Sequence, residues 1–224
     1  IYEARARDPG RSLMIISPSI ASADLLHAAE EVRFICGHFP DLHVDIENGV
    51  HLDNISFGFR LARMICEAAT RPVSLHLMVN DPIHWIPDVQ RCGAAVTFVH
   101  LDHLRDPAAA LDAYRRAGIP VGLGLSSRDL HRGDWKALAA QTDAALMLTC
   151  DIDDPAQRFV PELADFACEL ARHSGKRVWV DGAIDFPMLA GLEDAGVYAA
   201  VMGRAVFRDK VNACREAETW NPHI

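Results

Sequence analysis

The sequence has no closely spaced cysteines and no long apolar run. Its six cysteines lie far apart, without a CxxC pair, and most stand in apolar surroundings such as MICEAA and DFACELA. This pattern is typical of reduced core residues in a cytosolic protein. Because no stretch of about 18 apolar residues and no signal-peptide pattern occurs, we expect a cytoplasmic location and no membrane span.

The chain also has few basic residues relative to its acidic ones. The chain has 22 Lys and Arg against 31 Asp and Glu, so its formal net charge is −9 at pH 7. A surface of this sign repels phosphate backbones and anionic lipid, and we therefore expect neither nucleic acid nor a membrane as a partner. The composition is 50% hydrophobic over 224 residues, which suits one compact domain with a large core.

A unit of helix, glycine and strand recurs along the chain. In each copy an amphipathic segment ends in glycine and a short β-rich run follows at once. The glycines of the five clearest copies are Gly37, Gly93, Gly118, Gly175 and Gly196. Glycine just past a helix is the usual left-handed cap, so the pattern predicts helix, cap and strand in turn. No GxGxxG follows the first strand, and a dinucleotide site is not supported.

Eight strands are predicted, with helical patterns between most of them. The strands cover residues 14–20, 42–46, 73–79, 96–101, 121–125, 144–150, 177–181 and 198–203. Alternating strands and helices indicate a parallel sheet, and eight units in about 210 residues favour a single (β/α)8 TIM barrel of the α/β class. An open doubly wound sheet is the alternative. We expect a barrel domain over residues 13–218, preceded by an N-terminal extension, residues 1–12.

Two helices of this pattern carry specific expectations. Ser22 is a plausible N-cap of the first helix, which would then run through SADLLHAAEEVRFIC. The fifth helix, around residues 129–141, has the weakest pattern of the series.

Polar residues stand where several of the predicted strands end. In LHVDIENG, residues 42–49, His43 and Asp45 lie on one side of the pleat and the apolar residues on the other. His76 and Asp181 hold similar places in two further strands. Because the chemistry of a TIM barrel lies at its C-terminal mouth, these four side chains would meet there. Two imidazoles and two carboxylates suit one divalent cation, either Zn²⁺, Mn²⁺, Fe²⁺ or Co²⁺.

Structural alternatives exist for these residues. A histidine in a strand is often a hydrogen-bonded core residue, and an aspartate at a strand end often caps the next helix. His100 in FVHLDH either lines the mouth or is structural, and Asp102 and His103 are predicted to lie in the loop beyond. The remaining histidines are expected at the surface: His27, His38, His51, His84, His131, His173 and His223.

Several strings appear together in the order found in one enzyme family. They are ISPSIASADL, HVDIENG followed by NISFG, SLHLMV followed by NDP, and VDGAI. From about Ile16 to Phe207 the chain resembles the ribulose-phosphate 3-epimerases. The resemblance implies a (β/α)8 barrel that epimerises C3 of a ketopentose 5-phosphate. It also implies one divalent metal, a small sugar phosphate as partner, and a homo-oligomer, either a dimer or a hexamer.

The resemblance also assigns roles to individual residues. The metal ligands would be His43, Asp45, His76 and Asp181. Asp45 and Asp181 would also be the catalytic acid–base pair, one removing a proton and the other returning one through an enediolate. Substrate contacts would come from Ser19, His76, Met78, Gly182, Ala183, Gly203 and Arg204.

The chain departs from the family pattern beside the metal ligands. The family usually reads HVDVMDG where this chain has HVDIENG, so Glu47 replaces a methionine and Asn48 an aspartate. Glu47 either binds a polar group of the substrate or points to solvent.

Further departures lie in the loops expected to bind phosphate. The family's glycine-rich NPGFGGQ is replaced by DIDDPAQ, residues 151–157, which brings three aspartates and no glycine. Backbone N–H groups in glycine turns bind anions well, whereas aspartates repel them. Arg204 stands where the family has a phosphate-contacting serine. It either pairs with a phosphate or carboxylate of the substrate, or forms a salt bridge to the aspartates of the loop.

The acid–base residues thus match the family while the specificity loops differ. We expect a metal-dependent epimerase acting at C3 of a ketose phosphate, either ribulose 5-phosphate/xylulose 5-phosphate or a related compound. The alternatives are a ketose isomerase or an aldolase-type enzyme on the same metal site, or a non-catalytic relative that binds a ligand.

Overall fold

The parallel strands close into a barrel. The computed structural model describes residues 14–50, 53–101, 104, 106–131, 133–154 and 156–220. Within these residues, eight strands pair in the order β1-β8-β7-β6-β5-β4-β3-β2. A parallel bridge between Ser19 and His43 joins the first strand to the second and completes the ring. The predicted (β/α)8 TIM barrel is therefore confirmed.

Every predicted strand is present, and its bounds agree with the prediction to within two residues. The strands are β1 Ile15–Pro18, β2 Leu42–Glu47, β3 Val73–Met78, β4 Val96–His100, β5 Val121–Leu125, β6 Ala144–Leu148, β7 Arg177–Asp181 and β8 Ala199–Met202. The α-helices are α1 Ala28–His38, α2 Phe59–Ala68, α3 Ile86–Cys92, α4 Pro107–Arg116, α5 Trp135–Ala140, α6 Pro161–His173, α7 Leu189–Asp194, α8 Arg204–Phe207 and α9 Lys210–Trp220. In the described part of the chain, none of these helices is long and apolar enough to cross a membrane.

Two expectations about helix ends were wrong. The first helix begins at Ala28, because the 3-10 turns Ile20–Ser22 and Leu25–His27 occupy the preceding residues. Asp24 rather than Ser22 caps a turn there, by accepting the backbone N–H of Leu26. Gly37 lies inside α1 instead of capping it. The other four glycines of the repeating unit do have positive φ, as a left-handed residue after a helix requires.

The alternation of side chains along the strands separates two apolar layers. Leu42, Val44 and Ile46 are buried in the layer between the strands and the helices. A second apolar cluster fills part of the barrel interior and includes Phe98 and Trp179. The predicted one-sided apolar face of β2 follows from this arrangement, because its remaining residues point into the barrel.

Glycine makes room for aromatic rings inside the barrel. A Cβ atom on Gly122 would lie 2.3 Å from the ring of Phe98, and one on Gly124 would lie 2.9 Å from the ring of His100. The apolar side chains of the interior come from β3, β4, β6, β7 and β8. The polar side chains come mainly from β1, β2 and β3, with His100 of β4 and Asp181 of β7 beside them. This division leaves a polar site at one side of the barrel mouth.

The other predictions about single residues have mixed outcomes. All six cysteines are free thiols. Of the histidines expected at the surface, His27, His38, His84, His131 and His173 are exposed. The predicted extension, residues 1–12, lies outside the described residues, as do His51, Asp102, His103 and His223. The domain boundaries at residues 13 and 218 stay a prediction.

Candidate active site

The four residues predicted as metal ligands meet inside the barrel. β2 supplies His43 and Asp45, β3 supplies His76, and β7 supplies Asp181, with one donor atom of each within 4.8 Å of the others. His76 Nδ1 lies 3.2 Å from Asp45 Oδ1 and 3.2 Å from Asp181 Oδ2. His43 Nε2 lies 3.3 Å from Asp45 Oδ1. All four groups thus surround one small volume.

The donor set fits a divalent cation. His43 Nε2 is fully buried and has no hydrogen-bond partner among the described residues. A buried polar atom left without a partner costs free energy, and coordination would satisfy it. Two imidazole nitrogens and two carboxylate oxygens in this arrangement are typical ligands of zinc and similar metals.

The charges of the cluster stabilise one another. Burial acts to raise the pKa of Asp45, but the nearby His43 and His76 outweigh it and hold that pKa well below its usual range. Burial acts to lower the pKa of His76, but the hydrogen bonds to Asp181 and Asp45 prevail and raise that pKa to about 9. The Asp45 carboxylate is therefore ionised at neutral pH.

A cavity of about 440 Å³ opens above the cluster. Its wall includes both candidate catalytic aspartates, Asp45 and Asp181. The predicted substrate-binding residues found on the wall are Ser19, Met78, Gly182, Ala183, Gly203 and Arg204. His76, also predicted to contact substrate, is fully buried beneath them. Ser19 donates a short hydrogen bond to Asp45 Oδ2 and so fixes the orientation of that carboxylate.

A match to a family model shows which protein family the chain belongs to. The model described as the ribulose-phosphate 3 epimerase family matches residues 15–207. The chain belongs to this family. Membership of this family makes the chain an epimerase, which is an isomerase that acts on carbohydrates.

Several curated relatives are similar over most of their length. The ribulose-phosphate 3-epimerase of Mycobacterium leprae is 25% identical over 198 residues, which cover 86% of this chain and 88% of the relative. The ribulose-phosphate 3-epimerase of a Synechocystis species is 27% identical over 203 residues, which cover 87% of each protein.

Solved structures of lower identity share the fold. The tryptophan synthase A-subunit of Pyrococcus furiosus has a TM-score of 0.69 at 10% identity, covering 93% of this chain and 97% of that one. Phosphoribosyl anthranilate isomerase from Thermococcus kodakaraensis has a TM-score of 0.65 at 13% identity, covering 95% and 100%. At such identities the likeness establishes the barrel alone.

The first departure from the epimerase family pattern faces the cavity. Glu47 lies on the cavity wall, where its carboxylate accepts a hydrogen bond from Asn54. Burial and the neighbouring Asp45 raise the pKa of Glu47 to about 7. Glu47 is therefore half-buried on the cavity wall, and its contact with a substrate stays a prediction.

The acidic loop that replaces the family's glycine-rich stretch carries its own counterions. Arg128 Nη2 lies 3.0 Å from Asp153 Oδ1, and Arg158 Nε lies 2.9 Å from Asp154 Oδ2. Arg204 Nη2 donates to the backbone carbonyl oxygen of this loop at Gln157, over 3.2 Å. The salt bridge considered between Arg204 and the loop aspartates is not found among the described residues, since two of those aspartates have other arginine partners.

The two turns at the cavity rim keep glycine where space demands it. A Cβ atom on Gly182 would lie 2.7 Å from Cys150 Sγ, and one on Gly203 would lie 2.2 Å from Ser22 Oγ. Ala183, which stands where the family has glycine, has a left-handed backbone with φ of 57°. Alanine in this conformation carries a modest cost in free energy that glycine would not.

A second layer of polar residues lies below the cluster; sequence reasoning named His100, which is buried and absent from the cavity wall, but missed Asp41 and Ser74. His100 Nε2 lies 2.8 Å from His76 Nε2, and the two rings are stacked. Asp41 and Ser74 lie beneath His43 and are fully or almost fully buried. Each precedes a candidate metal ligand by two residues, which places it on the same face of the strand. This two-residue spacing is the feature of the sequence from which Asp41 and Ser74 could have been predicted.

Proposed function

We propose that this chain is a metal-dependent epimerase acting at C3 of a ketose phosphate. One observation carries the proposal. Two carboxylates, Asp45 and Asp181, reach the floor of one cavity from separate strands and share the imidazoles of His43 and His76. Two acid–base groups at one reacting carbon are what an inversion of configuration requires, since a proton leaves one face and another arrives on the opposite face.

The chain's own residues would then act as follows. A C–H group next to a ketone is weakly acidic, and one of the two aspartates accepts its proton to give an enediolate. The other aspartate donates a proton to the opposite face of the same carbon. Ser19 holds the Asp45 carboxylate in place throughout by its hydrogen bond to Oδ2. A divalent cation held by the four ligands would supply positive charge beside the oxygens of the substrate.

The phosphate would lie at the side of the cavity formed by the turns after β7 and β8. Gly182, Gly203 and Arg204 line that side. A guanidinium can bind a phosphate or carboxylate through paired hydrogen bonds. The cavity volume of about 440 Å³ lies within the range of small-molecule sites. Because Glu47, Arg204 and the acidic loop all depart from the family pattern, a substrate other than ribulose 5-phosphate is favoured.

A screen in deuterium oxide tests the proposal. Metal-replete protein is incubated with ketose phosphates and free ketoses and followed by proton NMR. We expect one carbon-bound hydrogen to exchange with solvent in the true substrate and its C3 epimer to form. If no ketose phosphate shows both exchange and a new epimer, the proposal is wrong.

The same experiment separates the second candidate function, an isomerase or aldolase on the same site. Glu47 favours this candidate, because it adds a third carboxylate to the cavity wall. An isomerase would form an aldose phosphate, and an aldolase would form two shorter fragments. A non-catalytic relative would show neither exchange nor product. The cytoplasmic location and the homo-oligomer, either a dimer or a hexamer, stay predictions.

A further inference from the structure

A chain of buried polar side chains runs from the candidate metal centre toward the base of the barrel. Ser74 Oγ lies 2.8 Å from His43 Nδ1 and donates to Asp41 Oδ1 over 3.1 Å. Ser17 Oγ donates a short hydrogen bond to the same carboxylate oxygen. His43, Ser17 and Ser74 are fully buried, and Asp41 is 5% exposed. Three adjacent strands or their ends therefore contribute to one continuous network.

The direction of these hydrogen bonds fixes the tautomer of His43. A serine hydroxyl has one hydrogen, and Ser74 gives it to Asp41. Ser74 Oγ can then only accept a hydrogen bond from the imidazole, so His43 Nδ1 carries the proton. The lone pair is left on Nε2, the atom that faces Asp45 and has no hydrogen-bond partner among the described residues. The network thus orients the nitrogen required for a metal ligand.

We propose that Asp41 and Ser74 are positioning residues, which hold His43 in the tautomer and orientation that bind a divalent cation. The inference rests on the metal site of the proposed function and deepens it. Carboxylates and other acceptors that bind the second nitrogen of a metal-ligating histidine commonly contribute about 10- to 100-fold to metal affinity or activity. Here the acceptor is the hydroxyl of Ser74, which is polarised because it donates its own hydrogen to the buried carboxylate of Asp41.

Nitrogen NMR of metal-free protein with labelled histidine tests the tautomer directly. The resonances of His43 are assigned by their loss in His43→Gln. In the wild type we expect a proton on Nδ1 and none on Nε2. In Ser74→Ala, which removes the acceptor, we expect the Nε2–H form to appear. A wild-type ring that carries its proton on Nε2, or a tautomer that Ser74→Ala leaves unchanged, would overturn the inference without reference to activity.

Zinc affinity, measured by competition with a chromophoric chelator, gives the second readout. We expect Ser74→Ala to bind Zn²⁺ about 10- to 100-fold more weakly than the wild type. Asp41→Asn retains an acceptor oxygen but loses the charge, and we expect a smaller loss in the same direction. Thr97→Val is the matched control, because Thr97 is equally buried and its hydroxyl has no hydrogen-bond partner in the described part of the chain.

The outcomes distinguish this inference from the proposed function. Variants of Ser74 and Asp41 that bind zinc as tightly as Thr97→Val would refute the positioning role, even in an active epimerase. A tautomer shift together with weaker zinc binding would support it, even if no ketose phosphate is turned over. Melting curves by circular dichroism accompany each variant, so that a loss of affinity is read only from folded protein.

Discussion

Substitution of Gly122 by alanine tests how tightly the barrel interior is packed. The new Cβ atom would lie 2.3 Å from one carbon of the Phe98 ring and 2.5 Å from the next. Carbon atoms normally approach to about 3.5 Å, so the ring must move by about 1.2 Å. Phe98 is fully buried and packs edge-on against Trp179, with ring centroids 5.1 Å apart. The ring therefore has little freedom to move.

Overpacking of this kind typically costs about 1–3 kcal/mol. In a protein of this size each kcal/mol lowers Tm by about 2–4 °C, and we expect Gly122→Ala to melt about 2–12 °C below the wild type. Urea unfolding followed by circular dichroism gives the corresponding change in the free energy of unfolding.

The control for this prediction is Gly191→Ala in α7. Nothing lies within 4 Å of a Cβ atom at Gly191, which is exposed in the helix, and alanine there should stabilise by about 0.5–1 kcal/mol. In the double variant Gly122→Ala/Phe98→Leu the smaller side chain should recover part of the loss, with a coupling energy of about 0.5–3 kcal/mol. Unchanged stability of Gly122→Ala, or strictly additive effects in the double variant, would refute the packing argument.

The remaining predictions concern the candidate active site. Asp45→Asn and Asp181→Asn should each slow epimerisation about 10²- to 10⁴-fold, and each should still exchange the C3 proton of one epimer, because the other carboxylate remains. Equal exchange of both epimers in either variant, with metal content checked, would contradict the two-base assignment. Arg204→Ala should raise KM for the phosphorylated substrate about 10- to 100-fold with a smaller change in kcat, since a charged hydrogen bond contributes about 1.5–3 kcal/mol; an equal effect on unphosphorylated ketoses would argue against phosphate binding. Glu47→Met restores the family residue, and it should raise the ratio of kcat/KM for ribulose 5-phosphate to kcat/KM for the native substrate about tenfold. If steady-state kinetics show an unaltered ratio, Glu47 does not determine substrate specificity.

The match to the family lies on strands, and most of the departures lie outside them, although Glu47 ends β2. His43, Asp45, His76 and Asp181 all stand on strands, which hold side chains rigidly. Of the departures, Arg204 begins the short helix α8 and the acidic loop at residues 151–157 connects β6 to α6; Arg204 and Gln157 of this loop line the cavity. Loops tolerate change more readily than strands do. This division supports the proposed proton transfer by Asp45 and Asp181 on a substrate other than ribulose 5-phosphate.

Local patterns along the chain were enough to predict the barrel and the candidate metal ligands. Period-two alternation located every strand to within two residues, and glycine after a helix correctly marked four of the five predicted left-handed turns. Parallel strands bring their C-terminal ends to one edge, so polar residues such as Asp45 and Asp181 could be placed together although 136 positions separate them in the chain (181 − 45). These features depend on local pattern and on the geometry common to all parallel barrels.

The pairing of polar groups with one another could be read from the folded protein alone. The partners of Asp41 are Ser17 and Ser74, 24 and 33 residues away. In the acidic loop, Asp153 pairs with Arg128 across 25 residues, and Arg204 reaches the backbone of Gln157 rather than a carboxylate. Hydrogen bonds and ion pairs depend on distances of a few tenths of an ångström and on the direction of each donor. Residue type and spacing along the chain do not encode such distances, whereas the packed barrel fixes them.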